Sequence, residues 1–140
     1  MIKVSVVTEL TDILYKQISN LWILTGIGNP ARSDTFDAVS KTLKNGGKII
    51  IIYEDEIAVG TVWLTHDFRR LLVHHMSVHP EHQNKGYGKL LMQEAIKYAK
   101  ELKLQAKLEV HKDNKAANKL YKSFGFETLD GYEVMIKRDI

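Results

Sequence analysis

The stretch HPEHQNKGYGKLL, from His79 to Leu91, joins a proline-led polar loop to the first turn of a predicted helix. Two glycines, Gly86 and Gly88, stand one residue apart at this junction. Glycine is the most costly residue to order in a helix after proline, so the placement is unfavourable unless the backbone itself must approach another group. The segments on either side indicate what kind of group that is.

The loop leads from a predicted strand, RLLVHHMSV (Arg70 to Val78), directly into a helix N-terminus. Unpaired amides and the partial positive charge of a helix start bind anions, and the missing Cβ atoms let an anion reach the backbone. Two familiar phosphate loops do not fit, because position 91 is leucine where the dinucleotide fingerprint needs glycine, and Gly-Lys-Ser/Thr is absent. We therefore expect an anion here, flanked by Lys85 and Lys89; the alternative is that the glycines only shape the loop.

Composition bounds the class of protein. A chain of 140 residues with 44% hydrophobic content suits one domain, which we expect to span residues 1–140. The absence of cysteine excludes disulfides, zinc–thiolate sites and a cysteine nucleophile, and favours a reducing compartment. With no signal-peptide pattern and no apolar run of membrane-spanning length, we expect a cytoplasmic protein. The net charge of +3 is too small to indicate a nucleic-acid partner.

Hydrophobic periodicity predicts the element order βααβββαβαββ, an α/β fold with a mixed central sheet flanked by helices. The strand, helix, strand unit around the quoted loop should be a right-handed parallel crossover. Its second strand is predicted over Gln105 to His111, and ETLDGYEVMIK should close the chain as two strands around Asp130 and Gly131, a dipeptide that favours a tight hairpin turn.

Two segments together resemble the signatures of a known enzyme family. VHPEHQNKGYG, which ends at Gly88, is similar to the Q-x-x-G-x-G motif of the GNAT superfamily of acyl-CoA-dependent N-acyltransferases. NKAANKLYKSFGF (Asn114 to Phe126) resembles the second signature of that family, and both motifs occur in its order and at its spacing. The predicted strand order matches the family over nearly the whole chain.

This resemblance implies that acetyl-CoA is the cosubstrate and that no metal takes part. It implies that the strand ending at Met76 and Val78 pairs with the pantetheine arm, and that Asn114 contacts the coenzyme, although capping of the last helix alone would explain Asn114. It also implies that backbone amides hold the coenzyme A pyrophosphate, those of Gln83, Asn84, Lys85, Gly86, Tyr87, Gly88 and Lys89.

Transfer of an acetyl group from a thioester to an amine needs proximity, a base, and an acid for the leaving thiolate. Glu109 is the first candidate base, because it lies on the strand beside the proposed coenzyme strand. It also precedes Tyr121 by twelve residues, a spacing similar to that of the catalytic Glu and Tyr in ribosomal-protein N-terminal acetyltransferases. Tyr121 is the candidate general acid. The alternatives are a solvated strand carboxylate and a core aromatic residue.

His74 is the alternative base, on a strand face that we expect it to share with Leu72 and Met76. His74 and His75 are adjacent in the predicted strand, so we expect them on opposite faces, which argues against a shared metal ion. A non-catalytic acyl-CoA-binding regulator would keep the glycine loop but lack the acid and the base.

The acceptor amine is not fixed by the fold. A tight hairpin at Asp130 and Gly131 would leave the acceptor site open on one side, so its remaining wall should include Asn29, Arg32 and Asp34. Because the planar guanidinium of Arg32 is suited to a carboxylate, we expect a small amine or an amino-acid-like acceptor, with a protein N-terminal or lysine amine as the alternative. The oligomeric state stays open, with a homodimer among the alternatives.

Overall fold

One five-stranded mixed sheet organises the N-terminal part of the protein in the computed structural model, which describes residues 1–27 and 34–140. Its strands lie in chain order: β1 (Ile2–Val7), β2 (Lys48–Glu54), β3 (Ile57–His66), β4 (Arg70–Val78) and β5 (Gln105–Leu108). The first four are antiparallel neighbours, and β5 pairs parallel to β4. This confirms the predicted mixed sheet and its crossover, although β5 ends three residues before the predicted His111.

Three helices flank this sheet: α1 (Asp12–Thr25), α2 (Phe36–Lys44) and α3 (Tyr87–Leu102). A further helix, α4 (Lys115–Ser123), follows β5 in the chain. Threonine side chains begin the first two: Thr11 accepts from the amide of Leu14, and Thr35 from that of Ala38, each at 3.2 Å. Among the described residues, no helix has the length and apolar character needed to cross a membrane.

The interior strand β2 is buried on both faces, which explains its unbroken run of isoleucines. Ile49 and Ile51 join one core cluster with apolar residues of α1 and α2, among them Trp22 and Val39. Because side chains alternate along a strand, Ile50 and Ile52 occupy the opposite face, and a Cβ atom added to Gly60 of β3 would lie 3.4 Å from Leu91 of α3. The helices therefore bury both faces of the sheet.

Contacts within the chain define two compact units, Met1–Glu109 and Val110–Ile140. The second contains α4, whose predicted apolar stripe of Ala117, Leu120, Tyr121 and Phe124 is half-buried. The single domain expected from the length stays a prediction.

The two predicted C-terminal strands are absent from the structure, which assigns no strand to residues 127–140. Asp130 and Gly131 do form a turn, with Gly131 at φ +85°. The apolar side chains around it stay exposed, however, from 61% for Leu129 to 82% for Met135. Turn residues act locally, whereas a two-stranded hairpin without a buried face is at best marginally stable, so the turn signal alone does not produce strands.

Candidate functional site

An extra residue in β4 shapes the site. Thr61 pairs with Ser77 and Trp63 pairs with His74, so two residues of β4, His75 and Met76, stand opposite one residue of β3. This is a β-bulge, and His75 adopts the left-handed conformation there, with φ +48°.

The bulge overturns the expected placement of the two histidines. Directly opposed residues share a sheet face, so His74 and Ser77 lie on the same face as Trp63 and Thr61 although they are three positions apart. The ring centroids of His74 and His75 lie 5.2 and 5.3 Å from that of Trp63. Both imidazoles therefore contact the same indole, and they do not lie on opposite faces of the sheet. The expected shared face holds for Leu72 and His74, which pair with Thr65 and Trp63, but not for Met76, which lies within the bulge where the alternation is interrupted. No group of three metal-binding side chains occurs in residues 1–27 and 34–140.

The pairing of β4 differs along its two edges. Its parallel ladder with β5 covers Arg70 to Val73, whereas its antiparallel ladder with β3 continues to Val78. The C-terminal half of β4 thus has a strand partner on the β3 side and lies beyond the ladder with β5. An extended ligand can add there as a further strand.

The loop after β4 leads into α3 as predicted. A single turn of 3₁₀ helix, Pro80–His82, is followed by residues 83–86, all of them exposed, with Asn84 at φ +64° and Gly86 at φ +83°. Gly86 is the N-cap of α3, no side chain caps this helix start, and a Cβ atom added to Gly86 would meet no atom within 4 Å. The first amides of α3 are therefore reachable at an exposed helix start, which is the geometry of an anion site.

Glu54, at the end of β2, holds this loop from the protein side. Tyr87 donates a hydrogen bond of 2.7 Å to its Oε2 atom, and Lys85 Nζ lies 3.2 Å from Oε1. The Nδ1 atom of His82 lies 2.9 Å from Oε2. Sequence reasoning missed Glu54, because no local pattern links a strand end to a loop about thirty residues later.

These donors stabilise the charged form of the carboxyl group. They lower the pKa of Glu54 to about 2; the hydrogen bond from Tyr87 is the largest cause and that from Lys85 is the next. The same hydrogen bond raises the pKa of the Tyr87 phenol. The side chains of Lys85 and Tyr87 are thus engaged with Glu54, while the side chain of Lys89 is exposed.

The candidate bases occupy different environments. His74 is half-buried, with its Nε2 atom 2.7 Å from Thr65 Oγ1. Burial is the main cause that lowers the pKa of His74, the neighbouring His75 adds to it, and Asp34 acts in the opposite direction. His74 is therefore mostly neutral at neutral pH. Glu109 directly follows β5 and is exposed, so solvent reaches its carboxylate.

The second unit contains the remaining predicted residues. Asn114 is the N-cap of α4, and its Oδ1 atom accepts from the amide of Ala117 at 3.1 Å. Tyr121 is half-buried beside Phe126, with ring centroids 6.1 Å apart, and burial raises the pKa of its phenol. A phenol of this kind keeps its proton at neutral pH. Asn29 and Arg32, predicted for the acceptor wall, lie outside the described residues.

Comparison with known protein families gives one match. The model of the acetyltransferase (GNAT) family matches residues 15–126. Comparison with curated protein sequences gave no match.

Solved structures of low sequence identity share the fold. AAC(6')-Iy, in complex with the bisubstrate analogue CoA-S-monomethyl-acetylneamine, is 14% identical, with a TM-score of 0.79 and 99% of each chain covered. A predicted acetyltransferase from Clostridium acetobutylicum, solved with acetyl-CoA, is 16% identical over 97% of this chain and 96% of its own, with a TM-score of 0.74. The ribosomal-protein-S18-alanine N-acetyltransferase from Escherichia coli is also 16% identical, with a TM-score of 0.75 over 91% of this chain and 78% of its own.

The contacts of Glu54 give a stability test. A carboxyl group whose pKa is lowered by folding stabilises the protein above its ordinary pKa of 4.5, and this stabilisation is lost as the pH falls toward about 2. Glu54→Gln should therefore be less stable than wild type at neutral pH, by a margin that shrinks between these two pH values. Urea unfolding across the pH range measures the margin.

Glu56→Gln, two residues further along in the exposed β2–β3 turn, is the matched control and should behave as wild type. A Glu54→Gln margin that is independent of pH, or that Glu56→Gln reproduces, would contradict the role given to Glu54.

Proposed function

The chain belongs to the acetyltransferase (GNAT) family, and from this premise we propose that a small amine or amino-acid-like acceptor attacks the thioester of acetyl-CoA directly, within a ternary complex. Acetyl-CoA is the cosubstrate, and the reaction acetylates an amine. The observation that carries the proposal is the exposed, uncapped N-terminus of α3 at Gly86, which begins eight residues after β4 ends. A cytoplasmic location is part of the proposal, since a cysteine-free chain suits a reducing compartment.

In the proposed complex, the pyrophosphate of coenzyme A lies over the amides of the segment from Gln83 to Lys89. The side chains of Lys85 and Tyr87 face Glu54, so the segment would bind chiefly through its backbone, with Lys89 as an exposed positive charge. The pantetheine arm would run back along β4 past Val78 and Met76, where the ladder with β5 has ended. Asn114 would add a further coenzyme contact from the start of α4.

The proposed chemistry begins with Glu109, which takes a proton from the amine, because an ordinary pKa of about 10 keeps the amine mostly protonated at neutral pH. The neutral nitrogen then attacks the carbonyl carbon, the carbon–sulfur bond breaks, and Tyr121 gives its phenolic proton to the departing thiolate. The second proton lost by the attacking nitrogen restores the phenol of Tyr121, and Glu109 releases its proton to solvent. The raised pKa of Tyr121 supports its role, since an acid must hold its proton until the thiolate forms. His74, neutral at this pH, is the alternative base.

The acceptor class is proposed from what similar proteins bind and not from the geometry of this site. The AAC(6')-Iy structure, which matches the present chain over almost the full length of both, holds an analogue that joins coenzyme A to a small amine compound. Coverage does not separate the two acceptor classes, because the ribosomal-protein-alanine N-acetyltransferase from Brucella melitensis matches over 99% of this chain and 100% of its own. The small acceptor is therefore proposed from the AAC(6')-Iy analogue alone, and a protein N-terminal amine is the alternative.

Replacing Gly86 tests the coenzyme site. Valine at φ +83° carries a strain of about 1–2 kcal/mol and places its side chain in the open space where the anion would lie. Acetyl-CoA affinity in Gly86→Val should fall about 10- to 100-fold, the equivalent of one lost charge-assisted hydrogen bond. Isothermal titration calorimetry with acetyl-CoA measures this change.

Gly26→Val is a matched control. Gly26 also caps a helix in the left-handed region, at φ +73°, and a Cβ atom added there would likewise have no atom within 4 Å. The two variants should lose similar stability, but Gly26→Val should keep wild-type affinity. Equal affinity in both folded variants would refute the proposed pyrophosphate position.

Removing the acid and the base should lower turnover more than coenzyme binding. Tyr121→Phe and Glu109→Gln should each reduce kcat about 100- to 10,000-fold, the usual contribution of general acid–base groups. Tyr132→Phe, an exposed tyrosine of the same unit as Tyr121, is the control and should keep wild-type kcat. If Glu109→Gln stays active while His74→Gln does not, the base is His74. In that case kcat/KM should fall on the acid side only below pH 6.5, because the pKa of His74 is lowered from that value.

A panel of amines tests the acceptor class. The protein is incubated with acetyl-CoA and either small amines, free amino acids or short peptides with an N-terminal alanine, and free thiol is measured. We expect thiol release above the acceptor-free rate with members of the first two groups. Release with peptides alone would assign a protein acceptor, and acetyl-CoA binding without release in any group would favour the non-catalytic regulator.

A further inference from the structure

We propose that Asp34 and His75 form a latch that fixes the bulge of β4 beside the thioester, which makes Asp34 a positioning residue for acetyl transfer. The inference rests on the proposed function for the position of the thioester. It adds two residues that belong neither to the pyrophosphate loop nor to the proposed acid and base.

The backbone of His75 needs support from its surroundings. The left-handed region is uncommon for residues other than glycine, although histidine is among the residue types enriched there. Bulges with a left-handed first position usually have glycine at that position. His75 therefore adopts φ +48° at a cost in conformational free energy. Such a conformation persists only where contacts with neighbouring residues hold it in place.

Two tryptophans enclose the His75 ring. Its centroid lies 4.8 Å from that of Trp22, edge to face, and 5.3 Å from that of Trp63. Both indoles are nearly inaccessible, and Trp22 Nε1 donates to Thr61 Oγ1 at 3.3 Å. Because these rings belong to the core, they hold the imidazole in one position.

Asp34 supplies the charge that faces this ring. Its Oδ2 atom lies 3.0 Å from His75 Nε2, and the two side chains are only 15% and 20% exposed. The carboxylate of Asp34 therefore faces the buried Nε2 atom at contact distance, although the geometry of the pair is not that of an aligned hydrogen bond. Further titratable groups near the pair are His74, whose ring centroid lies 6.4 Å from that of His75, and Tyr15.

Asp34 is held in place by the helices on either side of it. Tyr15 of α1 donates a hydrogen bond of 2.6 Å to the carbonyl oxygen of Asp34, and the next residue, Thr35, is the N-cap of α2. The contact between Asp34 and His75 thus joins the residue before the N-cap of α2 to the bulge of β4.

The position of the bulge gives the latch its role. His75 lies between Val73, where the ladder with β5 ends, and Val78, where the ladder with β3 ends. This is the part of β4 along which the coenzyme arm is proposed to run, with its pyrophosphate end at the loop after Val78. The thioester then lies toward His75, and a shift of the bulge would move the backbone against which it is aligned. A misplacement of about 1 Å can lower a rate about 100-fold.

A double-mutant cycle tests the latch in the full-length protein. Asp34→Asn and His75→Gly each remove one partner, and glycine relieves the left-handed backbone. Each should lower kcat about 10- to 100-fold, with KM for acetyl-CoA changed less than about twofold, and the double variant should be no worse than the weaker single variant. Asp37→Asn removes an equal charge from the exposed first turn of α2 and should keep wild-type kcat.

Three outcomes would overturn the latch: wild-type kcat in Asp34→Asn, effects that add in the double variant, or a kcat loss that Asp37→Asn reproduces. His75→Asn gives a further check, because asparagine tolerates the left-handed conformation but lacks the imidazole that contacts Asp34. Full activity in His75→Asn would show that only the backbone conformation at this position matters and not the imidazole, and it would overturn the latch as well.

A measurement without turnover separates this inference from the proposed function. Backbone ¹⁵N relaxation dispersion on the unliganded protein detects motion on the microsecond-to-millisecond timescale. We expect new exchange at the amides of His75 and Ser77 in Asp34→Asn but not in Asp37→Asn. Unchanged dispersion would refute the latch even if the enzyme were active, and new exchange would support it even if no tested amine were acetylated.

Discussion

The extra residue in β4 is the constraint on which the site depends. Without it, strict alternation would place His74 and Ser77 on opposite faces of the sheet. With it, both lie on the face that carries Trp63 and Thr61, and His75 contacts Trp22 of α1. One backbone irregularity therefore gathers the imidazoles on the face packed against α1. The same irregularity lies just past the end of the ladder with β5, so it coincides with the change in pairing along β4.

Glu54 binds the side chains of the glycine loop and leaves the backbone amides of that loop exposed. A loop rich in lysine, histidine and tyrosine would ordinarily present those side chains to an anion. Here Lys85, His82 and Tyr87 turn toward one carboxylate of β2. The charge of Glu54 offsets that of Lys85, and the exposed face of the loop keeps its amides and the glycine at the helix start. An anion site built in this way depends on backbone geometry more than on the identity of its side chains.

The sequence predicts those features that depend on local patterns. Alternation and helical periodicity locate the five strands of the sheet and four helices, and the two glycines locate the helix start. The bulge is not predictable in this way, because the pattern around His75 reads as continuous strand and the extra residue appears only when β3 is paired with β4. Glu54 and Asp34 depend on contacts between elements far apart in the chain. The C-terminal hairpin shows the converse, since the Asp130–Gly131 turn forms without the strands that its sequence favours.

Recognition of the coenzyme by backbone amides, as proposed for this chain, is compatible with low sequence identity among proteins of this fold. Amides are common to nearly all residue types, so an amide-lined anion site tolerates wide changes of side chain as long as a residue such as Gly86 can adopt its conformation. Structures only 14% to 16% identical to this chain match most of it. An acceptor, in contrast, is distinguished through side-chain charge and shape. A coenzyme site lined by amides can therefore stay the same while the side chains that select an acceptor change, which is why one fold can serve many acceptors.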